Sequence, residues 1–174
     1  MTEKKKNIVK WILVGIVILL VIIQLVPVKK DNPPALTEVR WDSPQTRSLA
    51  RRACYDCHSN ETTWPYYSHI APVSWFLSDH VHEGRKHLNF SQWSYPRDRE
   101  IKKARGMVKQ IKEGEMPLDS YLWMHPEAKL TDNEKQQLIA GIEKTFKVNL
   151  PPDSSKNKNG EERKEEHEKE HDED

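Results

Sequence analysis

The chain has two cysteines, three positions apart, with a histidine directly behind the second: Cys54-Tyr55-Asp56-Cys57-His58. On a helical turn, two thiols at that spacing can reach the two vinyl groups of one porphyrin while the adjoining imidazole points at the iron. C-x-x-C-H is for this reason the attachment sequence of c-type haem. Covalent attachment lets a small domain hold a large apolar cofactor without a deep pre-formed pocket. It is completed outside the cytoplasm in bacteria, so it requires export. Three other readings use the same residues. A thioredoxin-like redox pair needs a βαβ context, and no stretch of this chain sustains the period-2 alternation of a strand. A zinc site built on Cys54, Cys57 and two histidines lacks the usual second ligand pair at fixed spacing. A structural disulfide is the third. Two cysteines in all exclude a multi-disulfide secreted scaffold.

Export has its own signal. Trp11 to Ile23 is an unbroken apolar run apart from Gly15; Gln24 interrupts it and Leu25–Val28 continues it. Such a run has a length close to a bilayer core of about 30 Å. Lys4, Lys5, Lys6 and Lys10 precede it, and the positive-inside rule places the N-terminus in the cytoplasm. A cleaved signal peptide is the competing reading, but Val26-Pro27-Val28 is too bulky for a small-x-small cleavage site. The expectation is a single-pass anchor in the bacterial inner (cytoplasmic) membrane, with the remainder on the periplasmic, extracytoplasmic side.

Of 174 residues, an anchor at 1–30, a linker at 31–42 and a charged tail at 151–174 leave residues 43–150 for one modest domain. Net charge is +1 overall, but residues 1–30 carry six lysines against one glutamate, and 161–174 carry nine acidic residues against three basic ones. The middle is nearly neutral and offers no footprint for nucleic acid. Six glycines without a Gly-rich loop argue against a nucleotide-phosphate cradle. The tail lacks an apolar period and reads as disordered; its His167 and His171 read as part of a solvated charge run.

The domain reads as all-α. Asp31-Asn32-Pro33-Pro34 stops the anchor helix. Ser43-Pro44 is an N-cap and first-turn pair for a helix running towards Cys54. Ala71 to Leu88 carries one apolar cluster, Val73, Trp75, Phe76, Leu77 and Val81, and reads as a second helix. Pro96 opens a third, with Ile101, Ala104, Val108 and Ile111 as its stripe and Gly114 as its C-cap. Thr131-Asp132-Asn133-Glu134 is a capping box before a fourth helix with Leu138, Ile139, Ile142 and Phe146 on one face. The long connections Ser59–Ile70 and Glu115–Leu130 are rich in aromatics and proline, and long loops in a small domain usually carry function.

A second iron ligand is sought downstream. Met116-Pro117 lies just past the third helix, where Gly114 lets the chain turn, and Met/His ligation suits an electron carrier. Met107 falls within the helix and reads as packing; Met124 is a further rival. His69, His80, His82 and His87 are the imidazole alternatives; His80 and His87, seven apart, share a helix face, and His82 lies on another. His125 reads as a loop residue. Arg51, Arg52, Arg85 and Lys86 are candidates for pairing propionates. Trp41, Trp64, Trp75, Trp93 and Trp123, with the porphyrin, are expected to supply a core for which aliphatic residues are scarce.

Together these residues resemble the small bacterial haem-binding domain family of c-type cytochrome character. The resemblance runs from about Leu36 to Phe146. It is carried by Cys54-Tyr55-Asp56-Cys57-His58-Ser59-Asn60, Trp64-Pro65-Tyr66-Tyr67, Ile70-Ala71-Pro72-Val73-Ser74-Trp75 and His80-Val81-His82-Glu83-Gly84-Arg85. Leu88-Asn89-Phe90-Ser91-Gln92-Trp93, Glu113-Gly114-Glu115-Met116-Pro117 and the Leu130-Thr131-x-x-Glu134 helix start complete it. It implies one covalent haem c in a small cytochrome c-like helical fold, with Cys54 and Cys57 as attachment sites, His58 as proximal iron ligand and Met116 as the distal one. The expected activity is single-electron transfer without catalytic residues, to redox protein partners that the sequence does not name. The alternative is a haem-based sensor or peroxidase-like enzyme with an open or displaceable distal site, where His80, His82 or Arg85 would supply acid–base groups. A thiol-based module without haem is the third reading.

Overall fold

The computed structural model describes residues 3–148; the expected tail, with His167 and His171, lies outside them. The described residues form seven α-helices, two 3₁₀ turns and no strand. Helix α1 (Glu3–Ile23) carries only apolar residues from Trp11 on, and among the described residues none covers its apolar stretch. Its Lys4–Ile23 stretch is long and apolar enough to cross a membrane.

The remaining helices pack together. Helix α2 (Pro44–Ala53) starts where Ser43 accepts a hydrogen bond from the Thr46 amide, 3.1 Å, with Pro44 in the first turn. After Cys54 the chain makes one further turn, α3 (Tyr55–His58). Helix α4 (Val73–His87) follows the first 3₁₀ turn, Tyr66–His69. Helix α5 (Arg97–Glu113) ends at Gly114, whose φ of +75° is left-handed and favours glycine. A short helix, α6 (Asp119–Leu122), and the turn Pro126–Ala128 lead into α7 (Asp132–Phe146). Thr131 and Glu134 form the reciprocal capping box at its start.

The core lies between α2, α5 and α7. Ala104, Val108 and Ile111 meet Leu138, Ile142 and Phe146, and Leu49, Val39 and Leu130 close the cluster. Full burial of a residue the size of Phe146 contributes about 1.5–3 kcal/mol. Aromatics form the other wall: Tyr55 stacks on Phe90 at 5.2 Å, and Trp41 and Trp93 pack against Phe90 and Phe146. The expected tryptophan core is only half of this. Trp64 and Trp75 are half-buried outside the cluster, and Trp123 is 82% exposed. Aliphatic side chains from two amphipathic helices fill the space instead.

Residues 31–42 are anchored at several points. Val39 is buried, its amide donates to the Phe90 carbonyl at 3.1 Å, and the Trp93 amide donates to the Thr37 carbonyl at 2.7 Å.

Candidate functional site

Cys54 closes α2 and Cys57 lies in α3, so both thiols sit at a junction of two helical turns. The structure holds them as free thiols. Burial pushes Cys54 up to about 12, with Cys57 adding to the effect, and Cys57 up to about 11, with Asp56 adding to it. A redox dithiol needs the opposite shift, so the thioredoxin-like reading finds no support in this environment. Nor does zinc: among the described residues no three His, Cys, Asp or Glu side chains gather as a metal site.

His58 ends α3, and its ring is fixed from one side. Nδ1 lies 2.9 Å from the Gly84 carbonyl and 3.2 Å from the Leu88 carbonyl. Two acceptors at one nitrogen place the proton on Nδ1 and leave the lone pair on Nε2. Burial holds the imidazole below its usual pKa, against the pull of the two carbonyls, so the neutral, ligating form is favoured. Helix α4 comes close enough to do this because residue 84 has no side chain: a Cβ there would sit 2.5 Å from the Cys57 carbonyl oxygen.

A buried polar network holds the segment after His58. The Phe90 amide donates to the His58 carbonyl at 2.8 Å. Asn89 donates to the Asn60 side-chain oxygen at 2.9 Å, and the Asn60 amide donates to the Ser91 hydroxyl at 3.0 Å. Arg85, largely buried, donates to the Ser59 carbonyl (2.8 Å), the Thr62 hydroxyl (2.8 Å), the Asp31 carbonyl (2.9 Å) and the Asn32 side chain (3.0 Å).

Cys54, Cys57 and His58 line one cavity of about 620 Å³ whose walls are mostly apolar. That volume lies within the roughly 300–1,000 Å³ of small-molecule and cofactor sites. Met116 lines the same cavity, beyond the Gly114 turn, and so does Met107 from α5, which also packs against the core. Met107 thus packs as its place in the helix suggests and also stands at the cavity, as the rival of Met116. Met124 is exposed and off the cavity. His80 and His87 line it from α4, while His82 and His69 do not. His80 is tied through Nδ1 to the Phe76 carbonyl at 2.9 Å.

The four propionate candidates are engaged elsewhere. Arg51 pairs with Glu61 at 2.7 Å, Arg52 with Glu134, Lys86 with Glu83 at 2.6 Å, and Arg85 with the groups above. None lines the cavity; Lys103 and Lys109 of α5 do. The signal for Lys103 was present in the sequence: it stands four residues before Met107, on the same helix face. Tyr121 also lines the cavity, and its hydroxyl donates to Asp56 at 2.6 Å. Burial, reinforced by Asp56, raises the Tyr121 pKa, so it remains a donor. Asp56 in turn accepts from the Thr63 amide at 2.9 Å. The Met116–Tyr121 segment is thus tied to the two-cysteine motif itself. No local pattern marks Tyr121, because its partner is 65 positions away.

A family model described as a haem-binding domain matches residues 18–144. No curated protein and no solved structure matches the chain.

Proposed function

The chain belongs to the haem-binding domain family, and on that basis we propose a membrane-tethered, extracytoplasmic, c-type cytochrome-like protein that passes single electrons. Cys54 and Cys57 would hold the haem through thioethers, His58 would ligate the iron through Nε2, and Met116 would be the second protein ligand to the iron. Bound haem supplies an iron that moves between ferric and ferrous states, the chemistry of an electron carrier. The protein supplies the rest. Gly84 and Leu88 set the His58 tautomer. Tyr121 and Asp56 hold the Met116 segment against the motif, and the cavity walls are mostly apolar. Lys103 and Lys109 are the cations on the cavity wall; Lys103 also donates to the His87 carbonyl and lies over the Tyr95 ring, and Lys109 pairs with Glu113 at 3.9 Å. The tether would be α1, whose Lys4–Ile23 stretch is long and apolar enough to cross a membrane and is left uncovered by the described residues; the domain limits 31–42, 43–150 and 151–174 belong to the same reading.

The observation that carries this proposal is that two thiols, a tautomer-fixed imidazole and the thioethers of Met107 and Met116 line one mostly apolar cavity. Of the groups the peroxidase-like alternative would use, Arg85 is engaged by backbone and linker groups and His82 does not line the cavity; His80 does, with its Nδ1 tied to the Phe76 carbonyl. The test is the visible spectrum, oxidised and reduced, of the chain produced with a cytochrome c maturation system, followed by denaturation. The expected result is haem that stays on the polypeptide, low-spin spectra and a sulfur-to-iron charge-transfer band. Covalent but high-spin haem would move the function towards sensing or catalysis. Absence of covalent haem would overturn the c-type assignment.

A further inference from the structure

The end of α1 is fastened to the domain. Gln24 donates from its side-chain amide to the Ala71 carbonyl at 3.1 Å and accepts from the Ala71 amide at 2.9 Å. The Ser78 hydroxyl donates to the Lys29 carbonyl at 2.8 Å, and the Lys30 ammonium donates to the Ser68 carbonyl at 3.1 Å. The family match begins at residue 18, inside α1, so this junction is part of the matched region. On both sides of Ala71 the chain exposes apolar and aromatic side chains: Tyr66 is 76% exposed, Ile70 50%, Val73 45% and Phe76 58%.

We propose that Tyr66, Ile70, Val73 and Phe76 form a lipid-contacting face that seats the domain in the headgroup region of the bilayer spanned by α1. The inference rests on the membrane-tether reading and goes beyond it, since a tether alone would leave the domain free to lift off. The sequence indicates the depth. Lys4, Lys5, Lys6 and Lys10 precede the apolar run that starts at Trp11, and Gln24 is the first polar side chain on its far side, with Lys29 and Lys30 close behind. Gln24 therefore stands at the boundary, and Ala71, bonded to it, stands at the same level. Ile70 and Val73, one and two positions away at 3.8 Å per residue, lie within about 10 Å of that level. The reciprocal Gln24–Ala71 pair suits this depth, because an unpaired amide at a lipid boundary is costly. Composition agrees: tyrosine and tryptophan gather where protein meets headgroups, and Trp64, Tyr66, Tyr67 and Trp75 fall in this stretch. Lys29 and Lys30 stand beside it, where cations favour anionic lipid.

The test uses the full chain in vesicles of phosphatidylcholine and phosphatidylglycerol. A ketone-bearing amino acid carrying a nitroxide is placed singly at Ile70, Phe76, Ile16 or Lys135, which leaves Cys54 and Cys57 untouched. Oxygen, which concentrates in lipid, and a water-soluble nickel complex then compete to relax the label. At Ile70 and Phe76 oxygen is expected to relax the label more than the nickel complex does, as at Ile16 in α1, while Lys135 on α7 shows the reverse order. Labels at Ile70 and Phe76 that follow Lys135 while Ile16 reports lipid would overturn the lipid face and leave the tether standing. An Ile16 label in water would overturn the tether and the inference with it. All four positions except Lys135 are already apolar and exposed, and circular dichroism checks that each labelled chain keeps its helices.

Discussion

Through one nitrogen, His58 meets two carbonyls from opposite ends of the same helical turn, Gly84 and Leu88. That arrangement makes Gly84 a positioning residue twice over: its carbonyl orients the ring, and its missing side chain lets α4 approach Cys57. Gly84→Ala is expected to cost about 1–3 kcal/mol, the range for overpacking, read as a lower denaturation midpoint with unchanged slope. The axial-ligand assignment divides two methionines that share the cavity. Met116→Ala is expected to convert a low-spin ferric spectrum to high-spin and to lower the reduction potential, whereas Met107→Ala is expected to keep the low-spin state and lose only packing stability. The reverse pattern in the two variants would move the ligand to Met107. That Cys54, Cys57 and His58 stand together was legible from five consecutive letters, because their spacing is local; the structure adds that all three line one cavity. Tyr121 was not singled out, because its place at the cavity depends on a partner 65 positions away, whereas Lys103 was overlooked although it shares a helix face with Met107.

Elements were legible where a single residue type dictates backbone. Ser43-Pro44, Pro96, Gly114 and Thr131-x-x-Glu134 each mark a helix end found within a residue of its expected place. The short helices α3 and α6 have no period to read; they are held by contacts such as the Phe90 amide on the His58 carbonyl and Tyr121 on Asp56. The capping box of α7 does a second task. Glu134 accepts from the Thr131 amide and hydroxyl and from Arg52 of α2, and these hydrogen bonds, the Thr131 amide first, lower its pKa to about 2. A carboxylate depressed in the folded state contributes stability above its ordinary pKa of 4.5 and loses it as pH falls towards about 2. Denaturation midpoints across that window are expected to fall less steeply in Glu134→Gln than in the parent. Thr131→Ala is expected to cost about 1 kcal/mol at neutral pH.

At the scale of the whole molecule, an all-α chain with one apolar N-terminal helix was readable, because helical stripes and an uninterrupted apolar run are both long-range averages over sequence. What the averages missed is how the stretch after the apolar run is held. Arg85 clasps Asp31 and Asn32, Gln24 clasps Ala71, and Lys30 clasps the Ser68 carbonyl. A Gly-Ser spacer inserted between Lys29 and Lys30 is expected to leave the haem spectrum intact and to slow electron exchange with a membrane-bound partner more than with a soluble one. Equal effects on both partners would argue against an oriented domain. On the proposed tether, the Gln24–Ala71 clasp would act less like a leash than like a mast step. A leashed carrier samples a hemisphere and meets partners in any posture, with a local concentration set by leash length. A stepped mast holds one heading, so its encounters become a two-dimensional traffic problem, governed by how the neighbours drift and turn within the same sheet of lipid.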